Sequence, residues 1–324
     1  QRSLWIALPA CASLTLLAVT TYITQDIAPV PLLWVVPLSL YLLCFILCFE
    51  SDRWYKPTQY STALFLLLIA LVLQAIFTGA ISPITSVAIC GAFLFVICMV
   101  CHGELALLRP AEEHLTSFYL SIAAGGAIGG LFVGLIAPTF YDSYVEFQLG
   151  FVSAIILILY ADRHNTKSVL QTMLRKRASL YSVSAFGLIG MTMLLPQVDT
   201  QQDTTQTTRN FYGVLKLYDA ETQDGYHTRR LAPGRILHGL QYLESDREHE
   251  PTSYYGRITG IGKLLKATTP TSNSLWQERH IGVVGLGVGT LATYGTSQDT
   301  LRFYEINDDV ISIAEDKFSF LSQT

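Results

Sequence analysis

Long apolar runs separated by short polar breaks fill the first two thirds of the chain, and then the pattern changes. About seven runs reach the length of roughly 20 residues with which a helix crosses a hydrocarbon core. They lie near 4–24, 30–49, 61–81, 83–101, 117–137, 145–161 and 178–196. Pro29, Pro31 and Pro83 supply turn signals in short connections, so successive helices are expected to be antiparallel neighbours. The last run holds several Ser, Thr and Gly residues and is the least apolar.

Past Pro196 the helical periodicity stops. Gln197–Thr208, a run of Gln, Asp and Thr, reads as a linker. From Arg209 short β-like runs follow: Phe211–Tyr218 alternates apolar and polar residues, Arg235–Leu243 is a second run, and Gly225 and Pro233-Gly234 supply turns. Residues 254–267 read as a helix and Ile281–Val284 as a short buried strand. Gly285, Gly287 and Gly289 then open a helix through about Tyr294, and Leu301–Ile306 is the next strand. Strand, glycine turn, helix and a strand ending in an acid form the first half of a doubly wound nucleotide-binding fold. The expected organisation is a multi-pass α-helical membrane domain (1–196), a linker (197–208), a small β-strand subdomain (209–253) and a partial Rossmann-like α/β domain (254–324).

Composition agrees with this division. The chain has 324 residues, 51% hydrophobic and 14% charged, with a mean hydropathy of +0.38, which excludes an ordinary soluble domain. Residues 1–199 hold 9 of the 21 Lys and Arg and 10 of the 25 Asp and Glu, so charge collects in the last third. A net charge of -4 offers no surface for a polyphosphate, and nucleic acid is not an expected partner. The first run begins at residue 4 with neither an initiating Met nor a signal-peptide cleavage pattern, so the chain reads as a piece of something longer.

Orientation follows from the basic residues of short loops. Arg53 and Lys56, then Arg109, then Arg163, Lys167, Arg175, Lys176 and Arg177 fall in alternate loops and mark the cytoplasmic side. The intervening loops carry Asp26, Asp142 and Glu146. With seven spans the polar domain would be extracytoplasmic; if 178–196 does not cross, it would be cytoplasmic. The expected location is a bilayer of the bacterial inner-membrane type.

The residues with most chemical content are Val283-Val284-Gly285-Leu286-Gly287-Val288-Gly289-Thr290 and, after them, Glu305. Glycines allow a tight turn and close approach to a ligand, and a carboxylate at the end of the next strand can accept both hydroxyls of a ribose. The pattern points to an adenosyl ligand; a glycine turn that only packs helix on strand is the alternative.

This C-terminal portion, with Phe303-Tyr304-Glu305-Ile306 as its strand end, resembles spermidine-synthase-like proteins, the aminopropyltransferase branch of the class I methyltransferase fold. The whole chain is similar to the membrane-fused members of that group. Thr20-Thr21-Tyr22-Ile23-Thr24-Gln25-Asp26-Ile27-Ala28, Val30-Pro31-Leu32-Leu33-Trp34, Cys101-His102-Gly103-Glu104-Leu105, Arg209-Asn210-Phe211-Tyr212-Gly213-Val214 and His238-Gly239-Leu240-Gln241 carry the likeness. The resemblance implies S-adenosylmethionine or its decarboxylated form as ligand and a small amine as acceptor. It implies that Gln241 and Tyr254 line the pocket and that Glu305 holds the ribose. Gln241 as a polar strand residue, Tyr254 as a packing aromatic and His238 as a strand-end histidine are the structural alternatives.

The chain departs from that family in its loop, where soluble spermidine synthases have Gly-Gly-Gly-Asp-Gly and Val288 stands at the Asp position. The Asp pair that takes up the amine proton in those enzymes lies beyond Thr324, so no catalytic base is assigned, and no residue is assigned to a metal.

Within the apolar part, Cys98-Met99-Val100-Cys101-His102 matches C-x-x-C-H. Its place at the cytoplasmic end of a helix argues against haem. All six cysteines, Cys11, Cys44, Cys48, Cys90, Cys98 and Cys101, are expected to pack as small hydrophobes. Asp26, His102 and Glu104 are ionisable groups at helix ends that either line a polar path or reach the interface. Gly125, Gly126, Gly129, Gly130 and Gly134 make one helix able to approach a neighbour closely, a possible contact with subunits of a membrane complex. Three functions follow: a membrane-anchored transferase, a non-catalytic member of a membrane assembly, and, last, a transporter fused to a sensing domain, for which no inverted repeat is visible.

Overall fold

The computed structural model describes residues 2–27, 30–51, 53–56, 59–70 apart from 61, 65 and 68, 82–164, 203–234, 236–270 and 278–322. It forms two compact units, Gln1–Val198 and Asp199–Thr324.

The first unit is helical. Among the described residues, three segments are long and apolar enough to cross a membrane: Arg2–Gln25, Pro83–Leu107 and Glu112–Phe140. The helices are α1 (Arg2–Thr21), α2 (Val35–Glu50), α3 (Pro83–Leu107), α4 (Leu115–Leu131) and α5 (Val145–His164). The described positions between 59 and 70 are also helical, whereas 71–81 and the run expected at 178–196 lie outside the described residues.

Local chemistry sets the ends and bends. Ser82 caps α3 by accepting from the Thr85 N–H at 3.2 Å, and Pro83 takes the first turn, where its missing N–H costs nothing. In α1 the hydroxyls of Thr15 and Thr20 donate to the carbonyls of Cys11 and Leu16, which satisfies them without water. A π turn, Tyr22–Ile27, continues α1, and another, Phe132–Ile136, leads α4 into Ala137–Phe140, where Pro138 lacks an N–H.

Helix α1 packs against α3, α4 and α5, and α2 against α3. Leu4, Leu8, Phe93, Leu94, Ile97, Met99 and Phe118 are fully buried in the core. The Trp5 ring meets Phe118 edge to face at 5.3 Å, and its Nε1 donates to the Leu108 carbonyl at 3.3 Å. The glycines of α4 and of the π turn after it divide by face. A Cβ at Gly125 or Gly129 would collide with the Ile6 or Ala10 carbonyl of α1, whereas one at Gly126 or Gly134 would meet nothing within 4 Å. The six cysteines are buried and free of disulfides, and Cys44 and Cys48 donate to the Phe95 and Met99 carbonyls of α3.

The second unit carries an antiparallel four-stranded sheet in the order β1-β2-β3-β4 and a separate parallel pair, β5-β6. The strands are β1 (Asp203–Asn210), β2 (Gly213–Glu221), β3 (His227–Pro233), β4 (Gly239–Tyr242), β5 (Arg279–Val284) and β6 (Asp299–Tyr304). Two short helices are α6 (Gly260–Ala267) and α7 (Asp308–Lys317).

Three expectations from the sequence are corrected here. Residues 203–208 are strand rather than linker, because backbone pairing to β2 needs no apolar side chains. Thr208 and Asn210 donate to the Asp309 carboxylate at 3.1 and 2.7 Å, tying β1 to α7. The helix read over 254–267 is a 3-10 turn, Ser253–Tyr255, and then α6, whose cap Thr259 accepts from Gly262 N–H. After the glycines the chain makes a 3-10 turn, Thr290–Tyr294, rather than an α-helix.

The core of this unit joins both sheets. Leu215, Leu217 and Leu231 pack with Leu286 and Val288 and with Val310, Ile313, Phe318 and Phe320. The foot of the parallel pair is pinned by Arg279, whose guanidinium holds the fully buried Asp299 carboxylate at 2.8 and 2.5 Å and also donates to the Leu265 and Tyr294 carbonyls.

Candidate functional site

The glycine segment leaves β5 and turns at the head of the parallel pair. Gly285, Gly287 and Gly289 have φ of 91°, 60° and 85°, the left-handed region where a side chain is strained. Gly285 N–H donates to the Tyr304 carbonyl at 2.8 Å, which carries the ladder one residue past Val284. Gly289 N–H closes a turn on the Leu286 carbonyl at 3.1 Å. The space around the three differs. A Cβ at Gly287 would press on the His238 carbonyl and one at Gly289 on Leu321, both at about 3 Å, while at Gly285 it would meet nothing within 4 Å. Gly285 therefore presents bare backbone to an open space, a place where a ligand can approach.

Glu305 closes this loop from the end of β6. Its Oε2 accepts from Leu286 N–H at 2.9 Å, and its Oε1 from the N–H groups of Ile306 and Asn307 at 2.9 and 3.0 Å. Burial pushes the carboxyl up, but these three N–H groups outweigh it and hold it below its ordinary value, with His238 adding to the effect. Oε1 already accepts two donors, while Oε2, with one, has lone-pair capacity left for a hydroxyl donor.

The other expected residues are placed unequally. Gln241 is 3% exposed and spent on the protein: Nε2 donates to the Glu248 carbonyl and to Ser319 Oγ, and Oε1 accepts from Ser319 N–H at 3.1 Å. Tyr254 is 64% exposed on the 3-10 turn. Its neighbour Tyr255 is joined to the 3-10 turn that follows the glycines, through its carbonyl, which accepts from Tyr294 Oη at 2.6 Å. Gly262 of α6 lies against that same Tyr294 hydroxyl. The bond between Tyr255 and Tyr294 was not legible in the sequence, since an aromatic whose partner is 39 residues away gives no local signal.

Val288 is 1% exposed and turned into the core, where its methyls press on Gly239 of β4. A carboxylate there would be buried among apolar side chains. His238, just before Gly239, is half-buried; burial pushes its imidazole down, and the nearby Glu305 charge offsets part of that.

In the helical unit, the His102 ring stands edge-on to Tyr41 and Phe45 at 4.9 and 5.2 Å, and neither ring nitrogen has a hydrogen-bond partner among the described residues. Glu104 accepts from Tyr55 Oη at 2.8 Å, and Gly103 admits the Tyr55 ring against α3. Among the described residues no three His, Cys, Asp or Glu side chains converge as metal ligands. Comparison of the chain with protein-family models, characterised proteins and solved structures finds no match in any of the three.

Proposed function

We propose that the chain is a membrane-anchored transferase of the spermidine-synthase-like kind, which binds an S-adenosylmethionine derivative and passes an aminopropyl or related group to an amine. The helical unit crosses the bilayer about seven times, and β5, β6 and the glycine loop are the start of a Rossmann-like domain. The observation that carries the reading is the left-handed glycine loop, open at Gly285 and closed on the Glu305 carboxylate. Backbone N–H groups and an acid at the head of a parallel pair suit an adenosine ribose.

Bound there, a sulfonium derivative would supply an electrophilic carbon. The chain's own part is to hold the ribose through Glu305 and to leave room for the ligand at Gly285. Gln241, which the family likeness brings to the pocket, contributes through the backbone it braces, and Tyr254 offers an exposed ring.

A second reading has support of its own. The buried Val288 removes the carboxylate that would anchor an amine, which favours a non-catalytic member of a membrane assembly that keeps the fold.

Thermal unfolding of the full chain in detergent with methylthioadenosine tests the adenosyl site. A ligand at about 100 times its Kd adds about 2.7 kcal/mol of stability, and the reading predicts a corresponding rise in Tm. An unchanged Tm at millimolar ligand would leave the assembly reading in its place.

A further inference from the structure

The Glu305 carboxylate is held from two directions. On one side the glycine loop brings Leu286 N–H to Oε2 at 2.9 Å. On the other the chain leaving β6 turns back on the carboxylate, and the Ile306 and Asn307 N–H groups both reach Oε1, at 2.9 and 3.0 Å. That turn is itself fixed. Asn307 is 6% exposed and caps α7, its Oδ1 accepting from Asp309 N–H at 3.1 Å. The same oxygen accepts from Asn210 Nδ2 of β1 at 2.6 Å. The Asn210 amide also donates to the Asp309 carboxylate, as does the Thr208 hydroxyl. Strand β1 and helix α7 thus brace the turn whose N–H groups hold Oε1.

This clamp limits what the carboxylate can still accept. An ionised carboxylate has about four lone-pair positions, two on each oxygen. Backbone donors fill both positions on Oε1 and one on Oε2, which leaves a single position, on Oε2. Turning the group to free Oε1 would take the N–H of buried Asn307 off its acceptor, a loss comparable to the contact that would be gained. A ribose presents two neighbouring hydroxyls, which an unencumbered carboxylate takes together, one on each oxygen. Glu305 has room for one.

Resting on the adenosyl reading above, we propose that this site reads a single ribose hydroxyl, through Glu305 Oε2, rather than the pair. The ligand class is then wider than adenosyl compounds with an intact ribose. One of the two monodeoxy forms binds as readily as the parent, and the other binds poorly.

The test is calorimetric titration of the full chain in detergent with methylthioadenosine and with its 2′-deoxy and 3′-deoxy forms, for wild type and Glu305→Ala. For wild type the expected result is that one deoxy form binds about tenfold or more weaker, as befits one lost hydrogen bond to a charged acceptor. The other form should stay within about twofold of the parent. In Glu305→Ala the two deoxy forms should bind alike, because the group that separates them is gone. Weaker binding of both forms to wild type means that both hydroxyls are held and overturns the proposal, and so does equal binding of all three ligands. A difference between the deoxy forms that persists in Glu305→Ala overturns it too, since another group then reads the hydroxyl. Should that variant fail to fold, the three wild-type affinities decide alone. The adenosyl reading fails separately. Wild type that binds none of the three ligands loses that reading and this inference together, whereas wild type that binds the parent but treats the deoxy forms alike loses this inference only.

Discussion

At the scale of single residues, two positions decide how the second unit stands. Val288 is buried among apolar side chains, so Val288→Asp buries a carboxylate there and should cost about 3 kcal/mol, read from denaturant unfolding of the purified chain. A stable Val288→Asp chain would show that the loop is looser than described. Among the described residues Arg279 is the cation paired with the buried Asp299, and Arg279→Met leaves that carboxylate with only the Thr296 N–H and hydroxyl donors, at an expected cost of about 3 kcal/mol. The hydrogen bonds and charge of Arg279 hold the Asp299 carboxyl well below its ordinary value of 3.8, and backbone donors hold Glu305 below 4.5. A depressed carboxyl stabilises the fold above its ordinary value and ceases to as pH falls through its folded value. The Tm should therefore fall on acidification below about pH 4, and Asp299→Asn should blunt the fall; an identical pH profile in that variant would assign the acid loss elsewhere.

Elements differ in how much of them could be read in advance. Apolar runs announced α1, α3 and α4, because length and hydropathy are local properties. The glycine spacing announced the loop, because three left-handed positions admit little else. The strand β1 was hidden, since Asp203–Asn210 is polar throughout and is held by backbone pairing to its hairpin partner β2 and by Asp309, 99 residues beyond Asn210. Gln241 shows the same limit at the site. Its type suits a ligand contact, but Ser319, 78 residues away, occupies its amide. Among the helices, the glycines of α4 and of the π turn after it make a direct prediction. Gly129→Ala should lower the Tm of the detergent-solubilised chain, because its Cβ meets the Ala10 carbonyl, while Gly134→Ala should leave it unchanged. Equal effects would mean that α4 does not face α1 through Gly125 and Gly129.

For the whole molecule, the two units pose separate questions. The helical unit bears on the side of the membrane at which the second unit emerges. A reporter fused after Thr200 should be reached only from the cytoplasm if the chain is a transferase, since adenosyl sulfonium compounds are made there. An external reporter would support the assembly reading and an odd number of spans. The central claim concerns the second unit: that the Gly285–Gly289 loop and Glu305 form an adenosyl site. Calorimetric titration of methylthioadenosine into the full chain, beside Glu305→Ala, tests it most directly. The account predicts saturable, micromolar binding by the wild type and a loss of about tenfold or more in the variant, as expected when charged hydrogen bonds to a ribose are removed. Equal binding by both chains, or none by either, would contradict it.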